Sequence, residues 1–438
     1  MDETWENRVD TVFQIKPRVE TNSSLWFPRK RISEQLSKAM DRDNTWVCLD
    51  GPTGVGKTSL ALSYIVKEKL KFSGVSITSS MNWKAFCREI LTVEENNFAS
   101  LTGELEAGIE SMLPTLKMKL SLGDAKPVDI STYINNLSDL WTEHDIVRYM
   151  VENNVALFID DTEQASDELL TRISSLCKLL ISSPKGMSKM LIVGSGDIYQ
   201  KIISKNSSLR ERLVEISLGT FRSISSSWKF IAEGLTLLDV NYPGRNSYGD
   251  ERRLSALEKR VWEAADGLPK SLNRLGNDIA CLAIDKKYVT AQEIKDTAND
   301  MVDKHWREYA PILRPFLEEL IKNEAAIVLL RYLYEAGIGN IHHIQNIEEN
   351  LKNMRLKSGE RIEQYHIRDS LNQLVRLNFL FLSGPPENIV FVADPTMAHC
   401  LGVALRAPER YLQLYQIRNA EEITNSFPTE NGLESEPE

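Results

Sequence analysis

The stretch Gly51-Pro52-Thr53-Gly54-Val55-Gly56-Lys57-Thr58 decides how the rest of the chain is read. It fits the G-x-x-x-x-G-K-[ST] phosphate-binding loop, in which glycines let backbone N–H groups curl around a phosphate where a side chain would clash. Trp46-Val47-Cys48-Leu49 before it reads as a buried strand, and Ser59 to Val66 after it reads as a helix. The N-terminus of that helix adds the positive end of its dipole. Lys57 is placed as a point charge for the β- and γ-phosphates, and the Thr58 hydroxyl as a ligand for Mg²⁺. ATP and Mg²⁺ are the expected cofactors, with Gly51, Pro52, Thr53, Gly54, Val55, Gly56, Lys57, Thr58 and Ser59 as the cradle.

A chance glycine loop would have no second half of a site downstream, and one is present. Val155 to Ile159 is a continuous apolar run that ends in Asp160-Asp161-Thr162-Glu163. Such a run is what a central parallel strand looks like when it delivers carboxylates to a metal. Asp160 is the expected Mg²⁺ residue, acting through the ion's water shell. Capping of the following helix is the plainer reading of these acids, and it stays open for Glu163.

The bulk numbers bound the rest. A length of 438 residues suggests two or three domains, each able to bury its own core. The formal net charge of −10 argues against coating nucleic acid through overall charge, while leaving room for a local basic patch. The five cysteines, Cys48, Cys87, Cys177, Cys281 and Cys400, form no C-x-x-C pair. That argues against structural zinc or a disulfide framework and for a reducing, cytoplasmic home. The acidic start Met1-Asp2-Glu3 is no signal peptide, and no apolar run is long enough to span a membrane.

Residues 1–24 are expected to be a polar arm. Ile32, Leu36 and Met40 then mark one helix face, Gly74 to Thr78 a second strand, and Trp83 to Leu91 a helix. Residues from about 92 to 138 read as an insertion, with a hairpin at Lys117 to Asp124. A helix bearing Leu140, Ile146, Val147 and Met150 precedes the acidic strand, and a helix over Asp167–Ile181 follows it. Met190 to Val193 is the next buried strand, running into Gly194-Ser195-Gly196. Residues 220–265 read as helices broken by a loop at Asn241 to Asn246. Gly267-Leu268-Pro269-Lys270 opens another helix, whose apolar face continues through Ile279, Leu282 and Ala283, and Val289 to Ile294 begins one more.

From about residue 25 to 300 this pattern resembles the AAA+ ATPases, near the origin-recognition initiators and the transposition-helper ATPases. The resemblance implies an α/β fold, a P-loop NTPase parallel sheet sandwiched by helices, with a helical lid and ATP bound between core and lid. It implies that the apolar–Pro–Arg corner at Pro28 and Arg29 cups the base, and that Ser195 at the tip of its strand senses the γ-phosphate or the attacking water. It places Asp161 where many relatives carry the glutamate that polarises water, shorter by one methylene, with Glu163 as the other candidate. Leu209 to Leu218 resembles the segment that carries an arginine finger, acting in trans between subunits of a homo-oligomer. Arg212 aligns best and Arg210 second, and a surface salt bridge to Glu211 or Glu215 is the alternative. Lys270 stands where an arginine usually contacts phosphate, so bidentate geometry is lost there.

A further domain is expected from residue 306, after a linker containing Trp306, Pro311 and Pro315. Helices over Ala325–Leu333, Ile341–Leu351 and Ile367–Leu377, then a hairpin from Phe379 to Val392, resemble a winged helix. Lys352, Arg355, Lys357, Arg361, Arg368 and Arg376 crowd there with Glu360, Glu363 and Asp369 between them, so DNA and a partner protein both stay open as ligands. His342 and His343 lack acids or cysteines at metal spacing. The expected domains are an arm at 1–24, an ATPase core at 25–220, a lid at 221–305, a winged-helix-like domain at 306–416 and a disordered acidic tail at 417–438. Two functional readings follow: an ATP-hydrolysing AAA+ assembly that couples nucleotide state to DNA or a partner, or a STAND-like switch that hydrolyses slowly and acts through protein contacts. A third is a DNA-binding regulator whose ATPase core only controls oligomer state.

Overall fold

The computed structural model describes residues 4–14, 25, 29–42, 45–92, 141–181, 189–221, 224–245, 251–265, 267–320, 323–336, 342–352, 354–356, 359–377, 379–383 and 389–406. The base-side proline Pro28, the hairpin expected at 117–124, Leu140, the turn at 182–186 and the acidic tail lie outside these residues. The chain divides into two compact units. One comprises Asp10–Gly51 and Gly56–Leu218; the other comprises Met1–Val9, Pro52–Val55 and Gly219–Glu438.

The first unit is built on a five-stranded parallel sheet of order β2-β3-β4-β1-β5, formed by β1 (Trp46–Asp50), β2 (Phe72–Ser76), β3 (Ala156–Asp160), β4 (Met190–Val193) and β5 (Leu213–Ser217). Every residue of β1 and β4 is buried, the signature of parallel strands covered on both faces. The register pairs Leu49 with Val193 and Ser76 with Asp160, so the carboxyl ends of these strands share one edge. Helices α2 (Lys30–Met40), α3 (Lys57–Lys67) and α7 (Ile198–Lys205) pack on β1, and α4 (Trp83–Thr92) packs on β2. Between α4 and α7 in the chain come α5 (Glu143–Asn153) and α6 (Asp167–Ile181). The core runs through Trp46, Phe86, Ile159, Ile173 and Ile192. Strand β2 begins two residues earlier than its apolar pattern suggested. The stretch expected as an arm holds α1 (Trp5–Val12), and Val9, Val12 and Phe13 are buried.

In the second unit α8 (Ile224–Leu237), α9 (Glu251–Ala265), α10 (Pro269–Cys281) and α11 (Ala291–Leu320) pack together. Pro269 takes the first turn of α10, where its missing N–H removes nothing. That helix ends at Cys281, and Leu282, expected on its apolar face, is exposed in the turn that follows. The linker expected around Trp306, Pro311 and Pro315 is instead continuous helix: all three lie within α11, and Trp306 is buried in the core. Each proline deletes one i→i−4 hydrogen bond, and burial of the opposite apolar face holds the helix together. Then come α12 (Glu324–Glu335), β6 (His342–His343), α13 (Ile344–Leu351), α14 (Gln364–Arg376), β7 (Leu380–Ser383), β8 (Ile389–Val392) and α15 (Pro395–Arg406). The three short strands form an antiparallel sheet of order β6-β8-β7, so His342 serves as a buried strand residue paired with Val390.

Gly51 leaves β1 with φ +131°, and a Cβ there would stand 2.1 Å from the Leu218 carbonyl oxygen. Leu218 is itself pinned, its N–H donating to the Asp50 carbonyl at 2.9 Å. Gly51→Ala is expected to destabilise the sheet by at least about 2 kcal/mol, read as a lower urea midpoint for the transition that exposes Trp46.

Candidate functional site

The carboxyl ends of β1, β4 and β3 bring the sequence-marked residues together. Gly56 caps α3 in the left-handed region at φ +94°, a conformation that costs glycine nothing and turns the first N–H groups of the helix outward from the loop. Lys57 follows at the first helical position and is only 8% exposed. Its ammonium donates to the Gly51 carbonyl at 2.9 Å and to the Ser195 hydroxyl at 3.0 Å. Burial pushes the Lys57 pKa down, and the charges of Glu163, Asp160, Asp50 and Asp161 resist that shift.

Asp160 ends β3 and is 3% exposed. Burial raises its pKa to about 6, the neighbouring charge of Asp161 adds to the rise, and hydrogen bonds from the Thr58 hydroxyl and the Asp161 N–H oppose it. A desolvated carboxylate already bonded to the Thr58 hydroxyl is a donor set suited to a hard divalent cation such as Mg²⁺. The two remaining acids diverge. Asp161 sits at φ +51°, exposed, and its carboxylate accepts the Ser76 hydroxyl of β2 at 2.8 Å. Glu163 lies in a single 3₁₀ turn (Thr162–Gln164) and accepts the Ser195 N–H at 2.9 Å. That turn is anchored by the fully buried Thr162, whose hydroxyl donates to the Val193 carbonyl at 2.9 Å. Glu163, not Asp161, therefore lies beside the Lys57–Ser195 pair.

Arg29 is the N-cap residue of α2, and burial lowers its pKa to about 10. Arg210 and Arg212 occupy a turn before β5. Both are exposed, and the charge of Arg210 acts on the Tyr199 phenol. Within the second unit the Lys270 N–H donates to the Gly54 carbonyl at 3.3 Å, and its side chain is exposed. Sequence reasoning missed two residues. Asp50 is fully buried one position before the loop, and a single acid closing the run Trp46–Leu49 was the available signal. Ser76 was hidden because its partnership with Asp161 depends on the β2–β3 register.

A Walker-type ATPase of Pyrococcus abyssi matches the structure with a TM-score of 0.51 at 16% identity, over 89% of this chain and 99% of that one. The ORC2 protein of Aeropyrum pernix in its ADP form aligns at 13% identity and TM-score 0.41, over 93% and 97% of the two chains. The Thermotoga maritima RuvB Holliday junction branch migration motor aligns at 14% and 0.35, over 86% and 95%. No protein-family model matches the chain, and no curated protein matches it. The likeness to the Pyrococcus protein, with the parallel sheet and its loop, gives this chain the α/β fold of the P-loop ATPases.

The raised pKa of Asp160 carries a sign for stability. Its folded value lies above the ordinary 3.8, so the folded state holds the proton more tightly, and stability is lost as pH rises through about 6. Asp160→Asn is expected to stabilise the nucleotide-free protein at pH 7.5 by on the order of 1–3 kcal/mol and to change little at pH 4, as thermal unfolding at the two pH values would show.

Proposed function

We propose that this chain binds ATP with Mg²⁺ and hydrolyses it. The observation that carries the reading is the buried Lys57 ammonium held between the Gly51 carbonyl and the Ser195 hydroxyl, with the Thr58–Asp160 pair beside it. Lys57 and the N–H groups opening α3 neutralise the phosphates. Thr58 and Asp160 hold Mg²⁺, which screens charge on the phosphate oxygens. Glu163 orients the attacking water, because its carboxylate rests on the strand end that carries Ser195 while that of Asp161 is engaged by Ser76. The resemblance assigns Pro28 and Arg29 to the base, and it assigns Lys270, whose N–H donates to the Gly54 carbonyl, to a phosphate.

Arg212 is exposed in the turn before β5, which suits a residue that completes the site of a second copy of the chain. Active assembly is therefore expected to be a homo-oligomer. We read the C-terminal order helix–strand–helix–helix–strand–strand as a winged helix. On α14, Arg368 is already engaged by Glu348 at 3.0 Å, while Tyr365 is 61% exposed beside the acids Glu360 and Glu363. An exposed aromatic among acids suits a protein partner better than a phosphate backbone, so the domain is read as coupling nucleotide state to a protein, with DNA second. The STAND-like reading, tight nucleotide with slow turnover, is favoured by one observation, the turn of Asp161 away to Ser76.

ATP turnover measured across a protein concentration series, with and without duplex DNA, tests this. Lys57→Ala should abolish nucleotide binding. Glu163→Gln should keep binding and lower kcat by about 10²-fold or more, while Asp161→Asn changes it by only a few fold. Arg212→Ala should remove the rise of turnover with concentration, and mixing it with Glu163→Gln should restore part of the activity through hybrid sites. Retained nucleotide with negligible turnover at every concentration would instead establish the slow switch.

A further inference from the structure

Leu268 and Ser271, on either side of Lys270, form one wall of a cavity offering about 10 Å³ to the centre of a water molecule, which is room for one. His305 of α11 and His399 of α15 form other walls, with Thr396 beside them and Ala264 of α9 completing the lining. Each histidine is 4% exposed. Two imidazoles around a space this small, brought in by two different helices, are not explained by the nucleotide site.

The same histidines sit where α15 is docked. His399 stacks on Tyr334 of α12 with ring centroids 5.8 Å apart. Gly402 lets the helices meet there, since a Cβ on it would come within 1.7 Å of the Tyr334 ring. Asp394 caps α15, accepting the N–H groups of Thr396 and Met397 at 2.9 and 3.1 Å, and it ties the helix to α11 by accepting the Tyr309 hydroxyl at 3.1 Å. Docking of α15 thus joins a buried apolar face, Ala398, Cys400 and Leu401, to one cap, one stack and a wall made of two imidazoles.

We propose that this joint is an acid-sensitive latch: with both imidazoles neutral α15 stays docked against α11 and α12, and protonation of His305 or His399 releases α15 and slackens the Leu268–Ser271 segment that carries Lys270. The charge balance around the cavity favours the neutral rings. Burial lowers the His305 pKa; Arg274 of α10 and Lys304 lower it further, and Glu308 and Asp394 act against them. Two cations and two carboxylates largely offset one another, which leaves burial to decide. Tyr309 and Cys400, also nearby, have pKa values pushed upward and stay uncharged through the acid range. Undocking of α15 exposes the His305 imidazole, which then takes up a proton at the ordinary value of 6.5, so the docked state binds fewer protons. Docking is then at full strength above about pH 6.5 and weakens as pH falls below it. The latch needs no nucleotide and stands apart from the ATPase reading.

The test is hydrogen exchange of the full-length, nucleotide-free chain between pH 7.5 and 5.0, corrected for the chemical exchange rate and referred to α6 in the same molecule. Protection of α15 and of the start of α10 should fall at least tenfold between pH 7 and pH 5.5 while that of α6 holds, and the double variant His305→Gln/His399→Gln should lose the step. Protection in α15 that tracks α6 throughout, or a step that persists in the double variant, overturns the latch. Should the double variant not fold, ¹³C-histidine NMR of the unmodified chain decides. His305 or His399 must titrate in the window where α15 loses protection, and if both stay neutral through that window the proposal fails.

Discussion

A lysine ammonium removed from water must be surrounded by groups that tolerate its charge, and at Lys57 those groups are acids. Asp50 lies at the foot of the loop, Asp160 at the end of β3 and Glu163 one turn beyond it. One cation facing this many carboxylates leaves a local excess of negative charge in a poorly hydrated place. Burial above all, with the neighbouring charge of Asp161, raises the pKa of Asp160 there. A further cation would offset that excess. A divalent ion on Asp160 and Thr58, with phosphates drawing the ammonium outward, would resolve both imbalances together.

The strand order makes this concentration of charge achievable. Because β4 lies between β1 and β3, its end delivers Ser195 into the gap between the phosphate loop and the acidic strand. The Ser195 side chain then meets Lys57 while its backbone N–H meets Glu163, so one residue bridges cation and acid. Thr162 fastens the 3₁₀ turn to β4 through the Val193 carbonyl, which limits where Glu163 can go. On the other side, the left-handed backbone of Asp161 and the Ser76 hydroxyl carry the second carboxylate towards β2. Neighbouring acids in sequence are thereby given different surroundings, and different surroundings are what separate chemical roles.

Much of this was legible in the sequence, for physical reasons that differ by element. The loop, its strand and its helix were readable because glycine, lysine and threonine are each needed for one task at one spacing. The buried parallel strands were readable because both faces are covered, which leaves continuous apolar runs such as Val155–Ile159. The choice between Asp161 and Glu163 was not readable, since it turns on cross-strand register and a backbone torsion. Asp50 escaped notice because a lone acid after an apolar run looks like an ordinary strand end. The supposed linker at Trp306 misled because Pro311 and Pro315 are strong breakers locally, whereas burial of Trp306 and Leu313 on one side of α11 outweighs two missing hydrogen bonds.

That last correction bears on how the second unit works. With 30 residues, α11 is about 45 Å long, and it packs against α9, α10 and α15 in turn. A linker at 306 would have let the C-terminal elements move independently of the helices before it. A continuous helix does not: a shift of α10, whose first turn touches the loop tip through Lys270 and Gly54, bears directly on the helix against which α15 is capped and docked. Packed helices shift as rigid pieces between discrete arrangements and do not deform smoothly. The continuous helix therefore ties the docking of α15 to the position of α10 through one shared element.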